Sequence, residues 1–388
     1  MLGERAMTDG PASETWDAEH LARAMLSAIC PPADPRLGGL VAQHGACAVL
    51  AALRRLGDES AWGRRAVALD PDRLIGLAGR AGLRFVIPGD REWPAVLDDL
   101  DGCAPLGGMT GRPIGLWLAG PGHLTDWVPP AVAVVGARAA TRYGEAVATS
   151  LAAELAAGEG YSVISGGAYG VDAAAHRGAL AAGGRTIGVY AGGLDEPYPR
   201  GNTQLFERLT TSALVVSEVA PGVRAHRAGF LARNRLIAAL GLGTVVVEAA
   251  LRSGARNTAH WAANLGRMVM AVPGSVHSEQ SAGCHRMITD QEATLVAGIA
   301  DVRALLAPLG QAPEPPNRGP QRLLDGLDTE LLAVREAMPG RRPVSVAELS
   351  LGSGRSVPQT IAALTQLELL GLVRRDTAGG WRLRNPGR

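Results

Sequence analysis

The sequence predicts an α/β fold: a doubly wound, Rossmann-like parallel sheet, flanked by a small N-terminal helical domain and a C-terminal winged helix. Three observations carry this. Six short, apolar, β-branched runs between residues 131 and 272 alternate with helical stretches, the pattern of parallel strands buried on both faces. Residues 17–82 show only short, alanine-rich helical segments broken by glycine. Residues 322–388 run helix, short helix, glycine turn, longer helix and hairpin, the order of a winged helix-turn-helix.

Composition narrows the function. The 388 residues are 47% hydrophobic and only 4% aromatic, and all 38 basic Lys+Arg positions are arginine. Net charge is +1. It is uneven: residues 1–128 hold 12 Arg against 16 acids, 129–300 hold 14 against 12, and 301–388 hold 12 against 9. No part is basic enough to bind a polyanion by overall charge, so such a site must be a local cluster. Cys30, Cys47, Cys103 and Cys284 are widely spaced without CxxC or Cys/His pairing, which fits free thiols in a reducing cytoplasm. With no signal peptide and no apolar run of about 18 residues, a cytoplasmic protein without membrane insertion is expected. Residues 1–16 read as a flexible tail, with Met7 offering a second start.

The elements follow in order. "DAEHLARAMLSAI", "GGLVAQHGACAVLAALRRLG" and "DPDRLIGLAGRAG" give the N-terminal bundle. An irregular lead-in from 83 reaches a strand at "GLWLAG" (115–120). Strands at 131–135, 161–165, 186–191, 213–217, 244–248 and 268–272 then alternate with helices near 142–157, 171–182, 202–210, 231–240 and 256–265. The sheet domain spans 83–306. "APLGQAPEPPNRGP" makes 307–321 a linker, and the winged helix occupies 322–388.

Ligands bind such sheets beyond the carboxyl ends of the strands. The first strand of the alternating region is followed by Gly136 and Arg138, and the second by Ser165, Gly166, Gly167, Tyr169, Gly170 and Asp172. The third leads to Gly192, Gly193, Arg200 and Asn202. The fourth leads to Ser217 and Glu218, then by a long excursion to Arg233 and Arg235. The fifth ends at Glu248, ahead of Ser253, Gly254 and Arg256. Small residues at so many strand ends let backbone N–H groups and helix N-termini meet an anion. A dinucleotide turn needs G-x-G-x-x-G where this chain has G-A-R-A-A-T, and a Walker loop needs a lysine. The arginine fork suits phosphodiester oxygens. Arg142 faces solvent by spacing.

No catalytic set assembles. Asp172 and His176 stand i, i+4 on one helix beyond Ser165, but a helix-anchoring hydrogen bond explains His176 more simply. Glu218 and Glu248 read as acceptors for the arginine segment. The chain is expected to be no enzyme and to need no metal or cofactor. Two rival readings fit less well. A nucleoside-monophosphate phosphoribohydrolase needs P-G-G-x-G-T-x-x-E, whereas "GLGTVVVE" places Glu248 one residue late, at a strand end. A winged-helix transcription regulator would set Arg374 and Arg375 on duplex backbone, from a segment only +3 in balance.

Taken together, "VAVVGARAATRYGEAVA", "VISGGAYGVDAAAHRGAL", "GGRTIGVYAGGLDEPYPRGN", "SEVAPG", "FLARNRLIAAL", "VVVEAALRSGARNTA" and "VMAVPGS" resemble, in order and spacing, the blocks of the DNA-processing protein A family, DprA or Smf. The likeness covers about 131–297; the N-terminal region looks like the family's sterile-alpha-motif-like module. The resemblance implies a single-stranded DNA-binding protein of natural transformation or recombination. It would protect incoming strands, pair as a homodimer and load the RecA recombinase. It also implies that Arg138, Arg200, Arg233 and Arg235 carry the family's basic positions, Arg200 standing for a lysine. Gly166, Gly170, Asp172 and His176 match the second block. Tyr169 replaces a basic residue and offers a base-stacking ring, and Arg256 offers a charge in return.

Overall fold

The computed structural model describes residues 16–157, 160–308, 326–340, 342–377 and 379–384. All but the last residue of the expected tail, and all but the first two of the expected linker, lie outside the described residues. The chain divides into two compact units, which part between Glu314 and Pro315.

The first unit begins with five helices: α1 (Ala18–Ile29), α2 (Pro35–His44), α3 (Ala46–Leu56), α4 (Ala61–Ala68) and α5 (Pro71–Arg80). The second helical segment read from sequence is two helices, because Gly45 at φ +77 ends α2 and starts α3. Asp17, Asp34, Ser60 and Asp70 cap α1, α2, α4 and α5, each accepting a backbone N–H, which satisfies one of the donors left free at a helix start. Their apolar faces share a core with the sheet edge through Phe85, Trp117 and Val215. The Trp117 indole donates to buried Ser27 Oγ at 3.0 Å.

Nine strands form one sheet: β1 (Arg84–Val86), β2 (Leu116–Ala119), β3 (Ala131–Val135), β4 (Ser162–Ser165), β5 (Thr186–Tyr190), β6 (Leu214–Ser217), β7 (Gly243–Val246), β8 (Met268–Ala271) and β9 (Thr294–Leu295). Their order is β1-β2-β6-β5-β4-β3-β7-β8-β9. β3 through β9 pair parallel, whereas β1–β2 and β2–β6 pair antiparallel. The sheet is thus mixed and mostly parallel: the lead-in supplies two antiparallel strands at one edge, β2 as expected from "GLWLAG" and β1 in the part read as irregular. Between them run α6 (Leu124–Trp127), α7 (Arg142–Ala156), α8 (Val171–Ala181), α9 (Thr203–Ser212), α10 (Arg227–Leu240), α11 (Gly254–Asn264), α12 (Ala282–Thr289) and α13 (Ile299–Leu306).

Strand alternation sorts the core. Ala131, Ala133 and Val135 of β3 face one layer with Leu236, Ile237 and Trp261 of α10 and α11. Val132 and Val134 face the other, with Leu151, Leu155 and Ala175 of α7 and α8. This is the period of two expected of a pleated strand. The chain moves β3, β4, β5, β6 in one direction and then returns to β7 beside β3. That reversal leaves a crevice beyond the carboxyl ends of β3 and β7, where open α/β sheets take their ligands.

The second unit holds α14 (Thr329–Glu336), α15 (Val346–Ser353), α16 (Val357–Leu369) and a hairpin of β10 (Val373–Arg375) and β11 (Trp381–Leu383). Ser345 and Ser356 open α15 and α16 with reciprocal capping boxes, and Leu349, Leu364, Leu367, Val373 and Trp381 form a separate small core.

Candidate nucleic-acid interface

The crest is built on turns that leave no room for side chains. A methyl at Gly136 would collide with Val171 and the Glu248 carbonyl. Gly170, at φ +70, packs against the carbonyls of Ala137 and Arg138 and delivers the chain into α8. Gly166, Gly167, Gly192 and Gly193 are likewise filled in by protein atoms, whereas Gly254, at the first turn of α11, faces open space. Most of these glycines therefore serve close packing of the crossovers.

Beneath the crest lies a buried polar layer. Ser165 Oγ donates to the Val134 carbonyl at 2.7 Å. Asn202 Nδ2 donates to the carbonyls of Gly167 and Ala168, both at 3.1 Å. Arg233 donates to the Val189 carbonyl at 2.8 Å. Burial pushes the Asp172 carboxyl up, opposed by the Arg233 charge, the Ala168 N–H and Ser165. His176 is fully buried, and its Nδ1 lies 2.7 Å from Thr186 Oγ1, which anchors α8 to β5. Burial, reinforced by the Arg233 charge, pulls its imidazole down to about 3, so it is neutral at cellular pH. Glu248, 1% exposed, accepts from Thr141 N and Oγ1 at 2.9 and 2.6 Å and so fixes the start of α7. Its partner is this threonine, not the arginine segment.

Above this layer the crevice at the β3/β7 reversal has a volume of about 650 Å³. Arg138, Arg227 and Arg252 line it, all exposed, and none has an ion-pair partner among the described residues. Among the described residues the only carboxylate lining it is buried Asp172. Arg138 stacks its guanidinium 4.5 Å over the Phe230 ring, and Tyr198 leans on the same ring at 5.7 Å. Tyr198 and Ala225 also line two adjoining depressions, so the crevice continues as a groove past Tyr169, Gly192 and Gly193 to Arg200 and Arg224. Tyr169 and Tyr198 are about half exposed, and Tyr169 Oη accepts from Gly201 N at 3.2 Å. At that far end Glu196 pairs with Arg200 at 2.6 Å, and Asp195 adds a second carboxylate. Uncompensated positive charge is therefore concentrated at the crevice end of the groove.

Two arginines expected at the crest stand elsewhere. Arg235 is 0% exposed and makes a two-pronged pair with Glu218, both contacts 2.7 Å, with further bonds to the Gly111 and Ala232 carbonyls. It ties α10 to the end of β6 and offers nothing to a ligand. Arg256 donates to the Leu251 carbonyl at 3.0 Å and lies 3.5 Å from Glu292, so its charge is largely spoken for. Ser253 caps α11 by accepting from Ala255 N. Arg142 is exposed. The sequence reading missed Arg227, Phe230, Arg252 and Tyr198. Arg227 and Phe230 fall in the first turn of α10, which apolar periodicity starts four residues later.

The fold and this groove define an α/β protein whose strand-end crest gathers exposed arginines and aromatic rings. Residues 84–307 match the profile of the family described as DNA recombination-mediator protein A. The chain belongs to this family. It is similar to a putative DNA processing protein DprA of Mycobacterium tuberculosis, 42% identical over 389 residues, which covers 97% of this chain and 96% of that one. It is also similar to DNA processing protein DprA of Streptococcus pneumoniae, 41% identical over 53% of this chain and 72% of the relative. The X-ray structure of that pneumococcal protein superposes with a TM-score of 0.59 at 30% identity, covering 73% of this chain and 95% of that one.

Proposed function

We propose that the groove binds single-stranded DNA, with phosphates on Arg138, Arg227 and Arg252 and bases against Phe230, Tyr198 and Tyr169. The observation that carries this is one groove that gathers three exposed guanidiniums, without ion-pair partners among the described residues, beside two half-exposed tyrosine rings and the partly exposed Phe230. Each base stacked on such a ring contributes about 1–3 kcal/mol without regard to its identity, and phosphate contacts carry little sequence information. Kinship with DNA processing proteins supports the same reading. Arg200 and Arg224 extend the track at the far end, where the exposed Glu196 pair is weak enough for a phosphate to displace. The buried layer of Ser165, Gly166, Gly167, Gly170, Asn202 and Arg233 shapes the crest from below, and Ser253 and Gly254 present the N-terminus of α11. In this reading the chain is a binding protein, not an enzyme. It acts in the cytoplasm as a homodimer that shields incoming strands in transformation or recombination and hands them to the RecA recombinase.

The test is binding of fluorescent oligo-dT as salt is raised, for the natural chain and an Arg138→Ala/Arg227→Ala/Arg252→Ala variant. Each lost contact to a single strand removes about 0.7 from the slope of log K against log salt, so the slope should become shallower by about 2. Equal slopes for both proteins would move the strand off this groove. The RecA and dimer proposals are tested by light scattering and by the rate at which RecA coats a strand already bound by this protein; a monomer that slows coating would sink both.

A further inference from the structure

The wing of the second unit carries an arrangement that its own stability does not explain. Across the β10–β11 hairpin, Arg374 stands directly opposite Arg382, while Val373 pairs with Leu383 and Arg375 with Trp381. Side chains alternate between faces. Val373, Trp381 and Leu383 accordingly pack on the small core, and Arg374, Arg382 and Arg384 share the outward face. Arg374 and Arg384 are exposed and have no ion-pair partner among the described residues, and Arg382 is held by Asp376. Like charges directly opposite in an antiparallel pair are destabilising; Asp376 offsets the Arg382 charge, which leaves the Arg374 and Arg384 charges facing outward to meet an anion. Arg375 lies 5.1 Å over the Trp381 ring at its edge.

The helix that would enter a groove in a DNA-reading winged helix carries no cation. The exposed face of α16 presents Val357, Pro358, Gln359, Ile361, Thr365, Gln366 and Leu369, and Glu368 is its only charged residue. Its glutamines and threonine can meet base edges, but clamping phosphates takes cationic side chains, which this helix lacks. The wing also has no exposed aromatic ring, since Trp381 is 7% exposed, and so lacks the stacking platform a single strand requires. We infer that the second unit holds duplex DNA by its sugar-phosphate backbone through the wing, with Arg374 and Arg384 on phosphates. This site does not depend on the crest.

The experiment uses the full chain and two probes, a fluorescent 20-base-pair duplex of mixed sequence and oligo-dT. An Arg374→Gln/Arg384→Gln variant should bind the duplex about tenfold more weakly or worse, with a salt slope shallower by about 1.8. Its oligo-dT binding should be unchanged. Arg374→Lys/Arg384→Lys should keep duplex binding, and the crest triple variant should retain it while losing oligo-dT. Duplex affinity unaffected by the glutamine variant, lost equally in the lysine variant, or absent from the natural chain would overturn the assignment. Thermal melts of both variants establish that the second unit is folded.

Discussion

Arg233 and Arg235 sit two positions apart on α10, and at about 100° per residue their side chains leave the helix on nearly opposite sides. One reaches β5 under the crest, the other Glu218 behind it. The spacing was on view in the sequence; what it did not show was which side faced the ligand. Removing one member of a buried pair strands the other charge, so Arg235→Ala or Glu218→Ala should lower stability by about 3–5 kcal/mol. A joint Arg235→Met/Glu218→Leu replacement should recover much of it, as urea melts will register. His20 gives a pH-dependent counterpart. Its Nδ1 lies 2.9 Å from Asp17 and its Nε2 3.0 Å from Asp90, which links α1 to the loop after β1. Burial pulls the imidazole down, but the two carboxylates outweigh it and hold it above its ordinary value. The stabilisation is therefore complete below about pH 6.5, the unfolded value, and is lost as pH rises through the raised folded value. The gap in melting temperature between the natural chain and His20→Gln should shrink from pH 6 to about pH 9; a constant gap would assign the effect to packing.

At the scale of elements, the central strands were legible because parallel strands covered on both faces are wholly apolar, and β3 to β8 differ from the expected spans by two residues or fewer at either end. β1 and β9 escaped because two or three residues carry no period, and β9 is exposed. The start of α10 escaped for the opposite reason. Ten of its fourteen residues are buried, so it has no polar stripe to mark a helix, and its cap is the imidazole of His226 accepting from Gly229 N at 3.3 Å. Arg227, one of the crevice's three exposed arginines, and the Phe230 ring were hidden with it. The crest turn before α8 makes a sharper demand on sequence. Gly170 combines a left-handed backbone with contact against two carbonyls, a conformation that costs an L-residue about 1–2 kcal/mol before any clash. Gly170→Ala should thus destabilise the first unit by at least that amount. Because the same turn positions Arg138, it should also weaken oligo-dT binding while leaving duplex binding intact. Loss of stability with unchanged oligo-dT affinity would show that the turn does not position the cation.

For the whole molecule, the decisive feature is that two units have separate cores. The first is knit across both faces of the sheet and into the N-terminal helices, while the second rests, among the described residues, on eleven buried apolar side chains. A unit that small is marginal on hydrophobic burial alone, so heating should give two calorimetric transitions, the smaller first, instead of one two-state melt. Each ligand then reports its own site through linkage, since a ligand stabilises only the state that binds it. Oligo-dT at about 100 times its Kd adds about 2.7 kcal/mol to the unit it occupies. It should move the larger transition upward and leave the smaller in place. The 20-base-pair duplex should do the reverse, and the Arg374→Gln/Arg384→Gln variant should abolish that second shift alone. If both transitions rise with either ligand, the two sites are coupled and one strand engages crest and wing together. If the duplex moves only the larger transition, the wing has no nucleic acid of its own.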